Sequence, residues 1–538
     1  MKIKKVYLIG LALFLLALFL RFYKLDQFPL SLYWEETALG YDAYSILKTG
    51  ADFHGQKFPL VAFKSFGDYK PSGYFYAAVI SQALLGLNHL AVRLPSALAG
   101  VAIIIFTFLI AQQIFSQHKQ KKLIGFLSAL LVAFSPWSFQ FSRAAFEANL
   151  ATAFSVVAIW FLLKARHQPK NLLASTLFFA LSLYTYHSSR IFIPLLILSF
   201  VLLFYQSVKT HWRWWLVSGI IGLFITFPLV QNLSQPAIKH RWQETSAFTD
   251  LEPIIRLNQL RQDHDNSLIS RLIYHRYWWY AGQTLQKLAS HFDLNYLFLT
   301  GDSNRRHSTG ESGIFYPLDA ILLFAGLIFI FKSKNKGFKL LTLWWLTALI
   351  PSSLTKATPH ALRTLLAIPA PQIIAASGGV YLYQKTKAKL KTPLLTIFIL
   401  IYALFVFRHF YNYFGAYAEN YSRDWQYGYQ QLMEFLKDKS SQYETIYITD
   451  KLGRPSIYYF FYNQIDPSLV QQEEITASKD QAERLSYQHI NFYLPQNIPD
   501  NKKTLVIYGP NQAPKHQTSL WQVNDFFGKP IFSAVEYH

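Results

Sequence analysis

Eleven apolar runs of near-spanning length dominate this chain of 538 residues, at about 6–22, 94–115, 123–138, 149–163, 171–185, 191–208, 215–231, 317–331, 340–354, 365–383 and 393–410. Runs of this length suit helices that cross a bilayer and satisfy their own backbone there. The expected fold class is therefore an all-α polytopic membrane bundle of about eleven transmembrane helices. A further run, GYFYAAVISQALLGL at 73–87, is shorter and carries Ser81 and Gln82. The N-terminal MKIKK followed by VYLIGLALFLLALFL has the outline of a signal peptide, but RFYKLDQFPL after it offers no small-residue cleavage site. It reads as an uncleaved first span.

Whether 73–87 crosses decides the orientation of everything after it, and the basic residues settle the choice. If 73–87 lies in the interface, six clusters share one side. They are Lys2/Lys4/Lys5, Lys119/Lys121/Lys122, Lys164/Arg166/Lys170, Lys209/Arg213, Lys332/Lys334/Lys336/Lys339 and Lys385/Lys387/Lys389/Lys391. If it crosses, the first cluster faces the other five. The first arrangement puts the N-terminus in the cytoplasm and the C-terminus outside, with 73–87 as a juxtamembrane helix. The net charge of +21 is thereby assigned to topology, and nucleic-acid binding is set aside. No cysteine occurs, which excludes disulfides and thiolate metal sites.

Residues 1–410 are then the membrane domain, with a first outer loop at 23–93 and a long outer loop at 232–316. Residues 411–538 form a small extracytoplasmic α/β domain. In that tail RDWQYGYQQLMEFLKDKSS is amphipathic and helical, ETIYITD and TLVIYG read as strands, and PSIYYFFYNQ reads as a helix opening near Pro455.

The outer face collects acidic residues, histidines and isolated arginines. Glu35 and Glu36 open an apparent helix that Gly50 stops. An acidic pair there either complements the helix dipole or supplies a general base, and its place at the mouth of a multispan bundle favours the base. In FGDYKPSGY, Asp68 and Lys70 stand two apart, so an extended strand turns both to one pocket, with Tyr69 between them. Arg93 suits either headgroup anchoring or a lipid phosphate. Arg143 and Glu147 are spaced for a mutual ion pair or for substrate contact. His187 with Arg190, and His360 with Arg363, are i, i+3 pairs that can hold an anion or anchor a span end. GDSNRRHSTGESG at 301–313 groups Arg305, Arg306 and His307 in one loop. No Walker A, GxGxxG, HExxH or GxSxG motif is present. Carboxylates and histidines share a face, so a divalent metal is possible there, but no spacing demands one.

Residues 31–115 resemble the membrane glycosyltransferases of the C superfamily, in particular bacterial relatives of the protein O-mannosyltransferases and of the lipid A aminoarabinose transferase. The resemblance rests on WEET at 34–37, DYKP at 68–71, the juxtamembrane helix, and VRLPSALAG at 92–100. FSRAAFEANL and PHALRTLLAIP are similar to stretches in bacterial members. Two departures stand out: the family's acidic pair is usually Asp then Glu, and its acidic residue normally adjoins the Lys that Asp68 precedes by two.

The resemblance implies an inverting glycosyltransferase moving a sugar from a polyprenyl-phosphate donor to a hydroxyl outside the cytoplasm. The acceptor is a protein, a glycolipid or a polysaccharide, and no cofactor is required. Glu35, Glu36 and Asp68 are then the catalytic candidates. Lys70, Arg93, Arg363 and Arg305 would hold the donor phosphate. Tyr69, Arg143, Glu147, His187, Arg190 and His360 would bind substrate. The alternative is a lipid or sugar transporter, which would place ionisable residues nearer the bilayer midplane.

Overall fold

A computed structural model of the chain describes residues 2–232, 246–333, 335–473, 484–498, 502–514 and 516–538. Residues 233–245 of the long loop 232–316, and Lys334 of the basic clusters, lie outside the described residues.

Two of the eleven apolar runs are divided besides 123–138: 191–208 continues past Leu203 into a separate helix, Tyr205–Thr210, and 365–383 opens on a 3-10 turn, Leu365–Ala367. Helices nevertheless carry most of each of the eleven runs. They are Lys2–Phe22, His89–Ile114, Lys121–Phe134 with Pro136–Ser142, Glu147–Ala165, Asn171–Thr185, Ser189–Leu203, Trp212–Asn232, Pro317–Lys332, Lys336–Ser353, Ala370–Lys385 and Ala388–Phe414. Among the described residues, four are long and apolar enough to cross a membrane: His89–Ile114, Glu147–Ala165, Trp212–Asn232 and Ala388–Phe414. The pair Lys121–Phe134 and Pro136–Ser142 adds a fifth if the two, bent by 58°, count as one span. The run at 123–138 was expected as one span and is broken because Pro136 lacks an N–H and disfavours helix at Ser135. Asn171–Thr185 and Ser189–Leu203 have 15 residues each. At about 1.5 Å per residue each gives about 22 Å of helix, so crossing a hydrocarbon core of about 30 Å would also take their flanking residues.

Gly73–Leu85, with 13 residues, is shorter still. Its two polar residues mark the face turned into protein: Gln82 donates to the Gly40 carbonyl at 2.8 Å and Ser81 to the Ala91 carbonyl at 2.5 Å.

Contacts divide the chain into two compact units. One holds Met1–Leu18, Ala99–Phe141 and Ala148–His409, and its named elements among the described residues are all helices. The other holds Phe19–Leu98, Ser142–Glu147 and Phe410–His538. In this second unit the helix Trp34–Thr49 lies against the tail helix Pro455–Tyr462. Tyr41 stacks on Phe460 with ring centroids 5.6 Å apart, and the Tyr458 hydroxyl donates to the Leu32 carbonyl at 3.1 Å. Gln471 reaches Ser45, Thr49 and the Asp52 carbonyl at 2.9–3.0 Å.

The tail carries a six-stranded mixed sheet in the order Ser486–Tyr487, Ile490–Asn491, Thr445–Ile448, Thr504–Tyr508, Pro530–Tyr537, Trp521–Asn524. Thr445–Ile448 and Thr504–Tyr508 run parallel, with Ile446 opposite Leu505. Thr504–Tyr508 is buried on both faces, which is why TLVIY is an unbroken apolar run without alternation.

Candidate functional site

The chain is extended at Tyr33 and enters the helix Trp34–Thr49, so Glu35 and Glu36 occupy its first turn, where the unpaired N–H groups favour negative charge. The two then diverge. Glu36 is closed to solvent and grips Arg93 bidentately, Nε to Oε1 at 3.0 Å and Nη2 to Oε2 at 3.2 Å. The Ala145 N–H adds a third bond at 2.8 Å. Arg93 is equally buried and spends its remaining donors on the carbonyls of Leu25, Pro29 and Ser31 at 2.6–3.1 Å. This pair fastens the first loop to the start of the helix His89–Ile114.

Glu35 is 38% exposed and meets Lys70 at 2.9 Å, while Lys70 lies 3.7 Å from Asp68. The Tyr33 hydroxyl donates to the other Glu35 oxygen at 3.4 Å. Lys70 and Asp68 arrive on a hairpin of Ala62–Ser65 and Asp68–Pro71, with Phe63 opposite Lys70 and Ser65 opposite Asp68. Its two-residue turn is Phe66–Gly67, both with positive φ (50° and 76°), the twist that two-residue hairpins favour. The strand spacing foreseen for Asp68 and Lys70 is the one observed, with Tyr69 opposite Lys64.

Trp34 and Arg454 were not foreseen. A tight turn in the tail closes with the Gly453 N–H donating to the Asp450 carbonyl at 2.9 Å. A Cβ on Gly453 would stand 2.8 Å from the Trp34 ring, and the Arg454 guanidinium lies 5.0 Å over the Phe66 ring at the hairpin turn. The one signal was an arginine before Pro455 at the head of a helix.

Below the helix, Asp42 accepts the Phe53 N–H at 3.1 Å, and Asp52 accepts those of His54 and Gln56 at 3.0 and 2.8 Å. The second oxygen of each carboxylate is buried with no hydrogen-bond partner among the described residues. Burial, and then the Asp52 charge, push the Asp42 carboxyl well above the usual carboxylate range. Burial likewise raises Asp52 and takes His54 down to about 4.

Arg143 is buried and donates to the carbonyls of Leu20, Arg21, Tyr23, Lys24 and Phe28 at 2.7–3.2 Å, so it caps the open C-terminal end of the helix Lys2–Phe22. Glu147 begins the helix Glu147–Ala165, whose N-terminal end suits its charge.

The other candidates belong to the helical unit. His187 lies in the turn between Asn171–Thr185 and Ser189–Leu203 and Arg190 in the first turn of the second helix, the Arg190 N–H donating to the His187 carbonyl at 3.0 Å. Arg363 donates to the Thr355 hydroxyl at 2.6 Å. Arg305 reaches the Asp302 carbonyl at 3.4 Å, and the Arg306 carbonyl receives Gln140 at 2.9 Å.

Asp302, which sequence reading passed over, brings His307 and His360 together. Its Oδ2 is 3.2 Å from His307 Nδ1 and 3.9 Å from His360 Nδ1, and it accepts the Ala361 N–H at 2.7 Å. Burial alone would raise the Asp302 carboxyl, but the His307 hydrogen bond and the neighbouring imidazoles outweigh it and hold it below the usual range. Burial, then His307 and Arg363, lower His360 to about 3.

Residues 69–231 match the family described as dolichyl-phosphate-mannose-protein mannosyltransferase. No curated protein matches the chain by sequence. Among solved structures, ArnT from Cupriavidus metallidurans in the apo state aligns with a TM-score of 0.57 at 12% identity, over 99% of this chain and 98% of that one. The same protein bound to undecaprenyl phosphate gives a TM-score of 0.55 at 12% identity, over 98% of each chain.

Proposed function

From the premise that the chain sides with the C-superfamily membrane glycosyltransferases, by sequence over residues 69–231 and by fold over nearly all its length, we propose the following reaction. The protein moves a sugar from a polyprenyl-phosphate donor to a hydroxyl on the extracytoplasmic side, by a single displacement that inverts the anomeric carbon. The single observation that supports this reading is the partly open triad of Glu35, Lys70 and Asp68 beside the sealed pair of Glu36 and Arg93.

Glu35 is the base. It takes the acceptor proton as the oxygen attacks, the bond from the anomeric carbon to phosphate oxygen breaks, and the lipid phosphate leaves with the electron pair. Lys70 meets the charge that develops on that oxygen, and Asp68 aims Lys70. Approach of the phosphate draws Lys70 away from Glu35, so donor binding uncovers the base. Glu36 and Arg93 act as positioning residues that fix the helix carrying Glu35. Tyr69 and Glu147 are the further substrate candidates of the same unit, whereas Arg143 caps a helix end instead. In the helical unit Arg305 and Arg363 are candidate phosphate cations, and His187, Arg190 and His360 candidate substrate contacts. Bond making and breaking balance without a cofactor.

The ArnT relative bound to undecaprenyl phosphate supports a lipid-phosphate donor of that class. Eleven spans, a cytoplasmic N-terminus, a membrane domain at 1–410 and an extracytoplasmic domain at 411–538 complete the proposal.

The test is transfer of labelled sugar from polyprenyl-phosphate donors to protein, glycolipid and polysaccharide acceptors by the purified protein. Glu35→Gln is expected to lower kcat by about 10²–10⁴-fold, with Asp68→Asn also impaired and both folded. Donor turnover indifferent to either change would overturn the site. Absence of transfer from every donor, with lipid movement in proteoliposomes, would favour the transporter.

A further inference from the structure

We propose that the hairpin tip at 524–530 of the tail is a membrane contact, with Phe526 and Phe527 set into the lipid leaflet from which the last span, Ala388–Phe414, emerges. The two rings are 46% and 60% exposed, beside Leu520 at 50%. Neighbouring large apolar side chains held out in water mark a surface that something else covers. The tip that carries them is closed by its own hydrogen bonds. Asp525 Oδ1 accepts the N–H groups of Phe527 and Lys529, both at 2.9 Å, and the Asp525 N–H donates to the Lys529 carbonyl at 2.9 Å. The other carboxylate oxygen takes Arg423 at 2.9–3.0 Å, and Phe526 lies 5.2 Å from the Tyr427 ring. The tip is therefore fastened to the segment that leads out of the last span.

What covers it follows from where the chain enters the tail. The most apolar stretch of Ala388–Phe414 is buried nowhere in the protein, as a helix bathed in lipid requires. From Phe414 to Arg423 the chain runs mostly through the short helices Ala416–Asn420 and Ser422–Trp425. At about 1.5–2.0 Å per helical residue that path climbs about 20 Å at most.

The helix Tyr429–Lys439 then leads away from the tip. At its start Tyr429 meets Phe532, with ring centroids 4.9 Å apart, two residues from Pro530. Past its end the Glu444 N–H donates to the Lys503 carbonyl at 2.9 Å, next to Thr504, which pairs with Tyr537. The strand Pro530–Tyr537 thus has a far end at Tyr537 and a near end at the tip, and the near end adjoins the exit from the membrane. Two aromatic rings flanked by Arg423 and Lys529 are the residue types of a bilayer interface, rings at the apolar boundary and cations at the headgroups. The contact gives the tail a second hold on the membrane besides the covalent one at Phe414.

The test uses the full-length protein, which has no cysteine of its own, in nanodiscs of phosphatidylcholine and phosphatidylglycerol. Phe527→Cys carries a nitrobenzoxadiazole label, and Lys502→Cys, exposed at the far end of the sheet, carries the same label as reference. Lipids with a nitroxide on the upper acyl chain are expected to remove most of the emission at 527 and little at 502. Emission at 527 should also lie to the blue of that at 502. No quenching at 527, or equal quenching at both positions, would overturn the contact. Should Phe527→Cys fail to fold, the same label on Lys529→Cys decides by the same criteria. p-Benzoylphenylalanine in place of Phe526 reads the occupant directly on irradiation: a lipid adduct supports the contact, whereas an adduct to a second copy, or none to lipid, overturns it. Sugar transfer is not a readout here, so this result stands apart from that of the proposed reaction.

Discussion

Glu35 and Glu36 are neighbours in one helical turn, yet one faces Lys70 at 38% exposure and the other is sealed around Arg93. Removing one partner of a sealed pair strands the other charge, at a cost of about 3–5 kcal/mol. Arg93→Leu is therefore expected to lower the thermal midpoint sharply in fluorescence-detected gel filtration. Arg93→Lys should not restore it, because an ammonium cannot serve a carboxylate bidentately and several carbonyls at once. A midpoint unchanged in Arg93→Leu would refute the positioning role.

Asp42 and Asp52 give a pH prediction. Burial raises both, so the folded state holds more protons than the unfolded chain from about pH 4 upward. The stability this confers is complete below that pH and drains away as pH rises through the folded values. Asp42→Asn mimics the protonated form, so it should melt near the wild type at about pH 4 and above it at about pH 8. A gap independent of pH would count against this.

The alternation that puts Asp68 and Lys70 on one side was legible in four residues. The split between Glu35 and Glu36 was not, because the arginine that decides it lies 57 positions away. Asp302 escaped notice for a related reason: its partners arrive through two loop turns and a second loop, and no spacing encodes that.

At the scale of elements, the hairpin, the helix Trp34–Thr49 and the tail turn at Gly453 form one contact region around Trp34 and Phe66. Gly453 has φ +111°, a conformation that L side chains rarely adopt, and its missing Cβ leaves room for the Trp34 ring. Gly453→Ala is expected to cost about 1–3 kcal/mol, read as a lower midpoint and a weakened contact at Trp34 by tryptophan fluorescence. An unaltered melt and spectrum would show that the turn yields freely. Hydropathy located the helices because length and apolarity are local properties. It passed over the break at Ser135–Pro136, since a hydropathy average does not register a missing N–H. Two tail strands, Thr445–Ile448 and Thr504–Tyr508, were readable from their apolar runs, but the four others of the sheet and the helix the tail packs on were not. Periodicity says that a face is buried, never against what.

For the whole molecule, the absence of cysteine turns topology into a direct measurement. Single cysteines in the basic loops, such as Gln120→Cys, should resist a membrane-impermeant maleimide in intact cells and react after lysis. Ser303→Cys and Ser519→Cys should react in intact cells. Labelling of Gln120→Cys without lysis would invert the proposed orientation.

The docking of Tyr41 on Phe460, with Tyr458 held by Leu32 and Gln471 by Ser45, Thr49 and Asp52, also bears on engineering. Grafting a foreign C-terminal portion onto this chain would confront residues 32–52 with a surface they were not shaped for. A chimaera meant to trade one relative's acceptor range for another's must import both segments as a single cassette.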